Sequence, residues 1–123
     1  MKLRTVFAAA AVIAILFGLG LLLIPQQLSD VYGVELSVGG IYFARLVAAA
    51  FLGIGVLSWQ VRGAGPSTER QAILLGFFIT QTLAVIIGLI SQLQAESNAL
   101  GWSTVIINAF FASAFGYYRF MDS

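Results

Sequence analysis

The chain has 123 residues, of which 60% are hydrophobic and 9% are charged, with a formal net charge of +1. A soluble domain carries charge on roughly 25% of its residues, so this composition is typical of an integral membrane protein. The small net charge offers no basic surface for nucleic acid. Because the chain has no cysteine and no histidine, it lacks the usual ligands of zinc and haem, and we expect neither a metal site nor a cofactor.

Four apolar segments have the length of membrane-spanning helices. Crossing a hydrocarbon core of about 30 Å takes roughly 20 helical residues. The first segment follows Lys2 and Arg4. We interpret it as a retained helix, because its uncharged run exceeds the roughly 7–15 residues of a signal-peptide core. The predicted spans cover about residues 5–24, 41–60, 72–90 and 101–118.

The connections between these spans carry their own signals. Pro25 ends the first span because its nitrogen has no hydrogen to donate inside a helix. Apolar residues at helical spacing in the next connection predict either a short helix at the membrane interface or an irregular loop folded over the helices. These residues are Leu28, Val31, Tyr32 and Leu36. Ser67 or Thr68 is the expected N-cap of the third span.

The charges outside the spans are divided between the two sides of the membrane. With four spans, the two termini and the connection at residues 61–71 share one side. The cations on that side are Lys2, Arg4, Arg62, Arg70 and Arg119. The two remaining connections carry Asp30, Glu35 and Glu96 and neither lysine nor arginine. Because positive residues accumulate in cytoplasmic loops, both termini are expected to be cytoplasmic.

Small residues four positions apart predict the faces on which membrane helices pack, because they let two backbones approach closely. Every predicted span has such a face. We therefore predict an all-α protein, an integral membrane four-helix bundle that forms one transmembrane domain over residues 1–123. The small residues are Ala10, Ala14 and Gly18 in the first span, Ala49 and Gly53 in the second, Gly76, Thr80, Ala84 and Gly88 in the third, and Ala112 and Gly116 in the fourth.

Three polar side chains at membrane depth form the candidate intramembrane site: Arg45, Gln81 and Asn108. An ionisable residue inside a span is by default a candidate functional residue, and a guanidinium there needs hydrogen-bond acceptors. The candidate charge partners are Asp30, Glu35 and Glu96. We expect Arg45 to face the other helices and to contact Asn108, Glu35 or Glu96. In the structural alternative, Arg45 extends outward and ties the second span to the outer loops or to lipid phosphate.

No predicted span contains an aspartate or a glutamate, and no histidine is present to activate a serine. Proton relays and the usual hydrolytic machinery therefore lack their residues, and we predict that the protein is not an enzyme. The expected function is that of a structural or accessory membrane protein bound to lipid, to another membrane protein or to a second copy of itself. The alternative is a carrier or channel for a small molecule or anion, with its polar site around Arg45, Gln81 and Asn108.

Several short motifs follow one another in a fixed order. They are Pro25, Val31-Tyr32-Gly33, Ala44-Arg45-Leu46, Leu52-Gly53-Ile54-Gly55, Trp59, Arg62 and Gly101-Trp102. In this order of features the chain resembles a group of small, uncharacterised bacterial four-span membrane proteins that are loosely DoxX-like. The resemblance implies a multi-pass protein of the bacterial cytoplasmic (inner) membrane, and it implies no particular activity.

Overall fold

The described part of the chain, residues 2–121 of this computed structural model, is helical and contains no β-strand. This confirms the all-α prediction. The α-helices are α1 (Leu3–Leu23), α2 (Pro25–Val31), α3 (Val38–Val61), α4 (Thr68–Leu93) and α5 (Gly101–Gly116), and a π-helical segment, Tyr117–Met121, continues α5. Three of them, α1, α3 and α4, are long and apolar enough to cross a membrane. Met1, Asp122 and Ser123, at the ends of the predicted domain, lie outside the described residues.

The chain folds into two compact units, each built around two long helices that run in opposite directions. The N-terminal hairpin, Met1–Arg62, pairs α1 with α3 and carries the short helix α2 between them. The C-terminal hairpin, Gly63–Ser123, pairs α4 with α5 and its π-helical continuation. Each hairpin has its own closely packed interface.

Glycines let α1 and α3 approach each other closely in the N-terminal hairpin. A Cβ atom placed on Gly55 would lie 2.5 Å from Ile15 Cγ1, and one placed on Gly18 would lie 2.9 Å from Leu52 Cδ2. Ala48, two helical turns before Gly55, is 0% exposed. The absence of side-chain atoms at these positions therefore brings the two backbones together, as the small residues of the first span predicted.

Ala48 and Gly55 form the face of α3 that packs on α1, a face that the sequence did not assign. Ala48 is buried, whereas Ala49, which belongs to the predicted small-residue face, is exposed. A Cβ atom on Gly53, the other residue of that predicted face, would meet no atom within 4 Å. Ala49 and Gly53 therefore do not provide the close approach to α1, and their packing against another helix stays a prediction.

The first connection begins with a short helix and not with an irregular loop, whereas the predicted place of this helix at the membrane interface stays a prediction. α1 ends at Leu23, and Pro25 occupies the first turn of α2, where its missing N–H costs nothing. α2 ends at Val31, before the apolar pattern does. Gly33 takes a φ of 73° after it, a left-handed conformation that closes the helix and favours glycine.

The ends of α4 follow two capping patterns. Ser67 is the N-cap, and its Oγ accepts a hydrogen bond from the backbone N–H of Arg70 at 3.0 Å. This confirms Ser67, one of the two predicted caps. At the other end, Ala95 takes a φ of 55°, and its N–H donates to Gln92 O at 3.2 Å. The chain turns there as it does at Gly33, although alanine is strained in this conformation.

Glycine and aromatic side chains share the interface of the C-terminal hairpin. A Cβ atom on Gly88 would lie 2.8 Å from Val105 Cγ2, and one on Gly116 would lie 2.8 Å from Phe78 Cε1. These contacts confirm the predicted close approach at Gly88 and Gly116. Beside them, the rings of Phe77 and Phe115 meet edge to face with centroids 5.4 Å apart, a favourable aromatic geometry.

Gly55→Val should force α1 and α3 apart, because the added side chain needs the space of Ile15. We expect the free energy of unfolding to fall by about 1–3 kcal/mol, the usual cost of overfilling a packed interface. Gly53→Val is the matched control, since it adds the same side chain to the same helix where a Cβ meets nothing within 4 Å. Thermal unfolding in mild detergent, followed by circular dichroism, measures both. Equal losses would contradict the close packing at Gly55.

Candidate functional site

Apart from Arg45, the described residues of the N-terminal hairpin carry their cations at one end and their carboxylates at the other. Because α1 and α3 are antiparallel, Lys2 and Arg4 lie at the same end as Arg62. Asp30 in α2 and Glu35 in the following connection lie at the opposite end. The guanidinium of Arg62 lies 3.7 Å from the centre of the Trp59 ring, a cation–π contact that keeps this charge at the helix terminus.

The C-terminal hairpin repeats this separation. Arg70 and Arg119 lie at the end where α4 begins and the π-helical segment ends, and Glu96 lies in the connection at the other end. Glu69 is the carboxylate at the cationic end among the described residues. It belongs to the first turn of α4, where the positive end of the helix dipole favours a negative charge.

Arg45 donates a hydrogen bond from Nε to the carbonyl oxygen of Leu22 at 3.2 Å. Leu22 belongs to the last turn of α1, whose carbonyls have no donor within their own helix and carry partial negative charge. The side chain of Arg45 is exposed, so its remaining donors can reach solvent or lipid head groups. The contact ties α3 to the C-terminal end of α1.

The predicted carboxylate partners of Arg45 are placed as follows. Asp30 Oδ1 accepts a hydrogen bond from Gln26 Nε2 at 3.1 Å within α2. Glu35 is exposed between α2 and α3, at the same end of the hairpin as Arg45. Glu96 is exposed in the C-terminal hairpin. The partner that the structure gives to Arg45 is a main-chain carbonyl, and its pairing with a carboxylate or with Asn108 stays a prediction.

Gln81 and Asn108 lie on facing sides of α4 and α5. Gln81 precedes Gly88 by two helical turns, and Asn108 follows Val105 by one, so both share the faces on which Gly88 meets Val105. The two positions are separated by about 6 Å along the helix axes. Gln81 Oε1 is buried and has no hydrogen-bond partner among the described residues.

Two hydroxyl groups near these amides bond to their own helices. Thr80 Oγ1 donates to Gly76 O at 2.9 Å, and Thr104 Oγ1 donates to Gly101 O at 2.7 Å. Such local bonds satisfy a hydroxyl inside a helix, so these two threonines are less available to a ligand than the amides are.

Two further polar features lie outside the candidate site that was predicted from the sequence. Ser58 is 0% exposed, and its Oγ has no hydrogen-bond partner among the described residues. Its position one turn after Gly55, on the packed face of α3, is the signal that indicates burial. The other feature is a pocket of about 540 Å³ at the start of α4, named here the α4 pocket, whose lining residues are Pro66, Ser67, Thr68, Gln71 and Arg119.

Comparison with protein families gives a match over most of the chain. A family model described as "Domain of unknown function (DUF8292)" matches residues 1–119. The matched range includes all five α-helices and the candidate polar residues of both hairpins. No curated protein and no solved structure matches the chain. The function therefore has to be argued from the residues of this chain.

Arg45→Met should weaken the N-terminal hairpin, because it keeps an apolar stem but removes the donor to Leu22 O. We expect the free energy of unfolding to fall by about 0.5–1.5 kcal/mol, as for other hydrogen bonds between membrane helices. Arg45→Lys, which still carries a cationic donor, should lose less. The measurement is the thermal midpoint in mild detergent. Wild-type stability of Arg45→Met would contradict a structural role for this bond.

Proposed function

The chain belongs to the family defined by the domain of unknown function DUF8292, and from its own residues we propose a non-enzymatic structural or accessory function in the cytoplasmic membrane. The proposed partners are bilayer lipid together with another membrane protein or a second copy of the chain. Both termini are proposed to lie in the cytoplasm, with four helical spans between them.

The main support for this proposal is the outward-facing apolar surface of α1, α3 and α4. In the most apolar 18-residue window of each helix, 33% of the residues are buried in α1, 17% in α3 and 11% in α4. Water solvates such a surface poorly, whereas lipid tails or the helices of another protein cover it favourably. On α4, Ile87 is 65% exposed and Leu93 is 82% exposed. A protein with so much unburied apolar surface for its size is suited to lateral contacts.

The π-helical segment supports α5 as the fourth span. α5 itself has 16 residues, about 24 Å at 1.5 Å per residue, which is less than the hydrocarbon thickness of about 30 Å. The 5 residues of Tyr117–Met121 extend the helical stretch to 21 residues. The rings of Tyr117 and Tyr118, 5.1 Å apart, are suited to the membrane–water interface at its end.

A carrier or channel for a small molecule or anion is the second candidate function. It is favoured by Gln81 Oε1, which is buried without a partner. A buried acceptor is costly unless a bound water or a substrate completes its hydrogen bonding. Asn108 would complete the polar site within the C-terminal hairpin. Arg45, which was predicted to belong to the same site, donates from Nε to Leu22 O within the N-terminal hairpin, and its place in this site stays a prediction.

The topology can be tested directly, because the chain contains no cysteine and each introduced one is unique. Gln27→Cys and Gln94→Cys, both at exposed positions, should react with a membrane-impermeant maleimide in intact cells. Ala64→Cys and a cysteine appended after Ser123 should react only after permeabilisation. Reaction of the appended cysteine in intact cells would remove α5 as a span.

Affinity capture from native membranes in mild detergent tests the accessory function, and Gln81→Leu separates it from the carrier. We expect one membrane protein, or a second copy of the chain, to co-purify in stoichiometric amount with both the wild type and Gln81→Leu. Replacing an unpaired amide by an apolar group should raise the free energy of unfolding by up to about 1 kcal/mol.

Thr80→Val is the matched control for Gln81→Leu, because the hydroxyl of Thr80 already bonds to its own helix. It should leave capture unchanged. A wild-type chain recovered alone and monomeric would contradict the accessory function. Loss of a cellular phenotype in Gln81→Leu, with capture and stability preserved, would favour the carrier.

A further inference from the structure

The α4 pocket lies where the chain gathers positive charge. Arg119 reaches it from the π-helical segment. The first turn of α4 contributes the positive end of a helix dipole from a helix of 26 residues. Arg70 lies in the same turn, and its guanidinium is held at the preceding connection by a 3.1 Å hydrogen bond from Nη1 to Ala64 O. Each of these groups favours a negatively charged ligand at this end of the C-terminal hairpin.

The pocket also presents hydrogen-bond donors. Ser67 already accepts from the two N–H groups of Arg70 and Gln71, through Oγ at 3.0 Å and through its carbonyl at 3.1 Å. The N–H groups of Thr68 and Glu69 precede these in the helix and have no intrahelical acceptor. The side chains of Thr68 and Gln71, which line the pocket, add a hydroxyl and an amide donor.

The described lining of the pocket favours an anion. Among residues 2–121, the lining includes one cation, Arg119, and no carboxylate. The carboxylate of Glu69 belongs to the same helical turn but is exposed and does not line the pocket. A metal cation would therefore meet Arg119 without a compensating acidic ligand, whereas a phosphate group would meet both a cation and donors.

Arg119 is held in position for such a ligand by aromatic packing. Its guanidinium carbon lies 5.2 Å from the centre of the Phe120 ring, and Phe120 packs edge to face on Phe78 of α4 at 5.3 Å. Its Nε is buried and has no hydrogen-bond partner among residues 2–121. The stem is thus fixed against α4, and the planar fork of an arginine suits a phosphate group.

We infer that the α4 pocket binds the phosphate of an anionic lipid in the cytoplasmic leaflet. The pocket lies at the end of the helical stretch, beside Tyr117 and Tyr118, and thus at the depth of lipid head groups in the proposed topology. This inference rests on the proposed membrane location and names one lipid contact of the proposed function. Free inorganic phosphate offers the same chemistry, and the experiment below distinguishes the two sources.

The test is the binding of phosphatidylglycerol to the purified full-length chain in mild detergent, measured by native mass spectrometry. Phosphatidylcholine, whose phosphate is neutralised by a cationic head group, is the comparison lipid. We expect the wild type to bind one phosphatidylglycerol at least about 5-fold more tightly than phosphatidylcholine, since one arginine near a membrane surface contributes an attraction of that size. Arg119→Gln should remove this preference.

Arg62→Gln is the matched control, because it removes one arginine at the same proposed side of the membrane, where the side chain already contacts Trp59. It should keep the lipid preference. Gln71→Glu is a second variant that leaves Arg119 in place. An acidic residue suits the first turns of a helix, so the fold should be kept while the added charge repels the phosphate. This variant should also bind phosphatidylglycerol at least about 5-fold more weakly.

Each outcome decides the inference independently of partner capture. Preferential binding that Arg119→Gln and Gln71→Glu abolish, and that millimolar inorganic phosphate does not displace, supports a lipid site. Displacement by inorganic phosphate at that concentration would overturn the lipid as the source of the phosphate. Wild-type binding of phosphatidylglycerol by Arg119→Gln would overturn the α4 pocket as the binding site, and so would an equal loss of binding in Arg62→Gln. The accessory function would still stand in either case if the partner co-purifies.

Discussion

A main-chain carbonyl inside a membrane has no water from which to accept a hydrogen bond, so a carbonyl released at a helix end needs a donor from the protein. Pro25 imposes such an end on α1, because it cannot donate to Leu21 O four residues before it. The chain leaves the helix at Ile24, so the other carbonyls of the last turn, including Leu22 O, also lose their helical donors. Arg45 supplies a donor to Leu22 O across 3.2 Å. The same break lets α2 begin directly at Pro25. Arg45, a charged residue in a largely apolar chain, thus first serves to complete the hydrogen bonding of the α1 backbone.

The polar contact and the close packing of the N-terminal hairpin depend on each other. Antiparallel helices that place Leu22 beside Arg45 also bring Gly18 to Leu52 further along the interface. Lipid tails are as apolar as the helix surfaces, so burial between helices adds little, and close contact has to supply the attraction. Small residues and one directed hydrogen bond therefore stabilise the same register of α1 against α3.

Local chemistry made part of this fold predictable. Pro25 as a helix end and Ser67 as a cap could be predicted because each effect depends on a single residue type. The face of α3 that meets α1 could not be predicted, because alanines occupy three successive positions, 48–50, and offer small residues on several faces. Only the surface of α1 decides among them. The turn at Ala95 could not be predicted either, since its left-handed φ of 55° is normally taken by glycine or asparagine.

The candidate sites show the same limit. Position within a predicted span was enough to single out Gln81 and Asn108 as polar candidates, but their facing arrangement depends on the contact between α4 and α5. The acceptor of Arg45 is a carbonyl, a group that every residue has, so no sequence pattern could identify it. Arg119 was assigned only to topology, because a π-helical turn, with its i to i+5 bonds, is not marked by residue type. Both arginines acquire their roles where a regular α-helix is interrupted or changes its pitch.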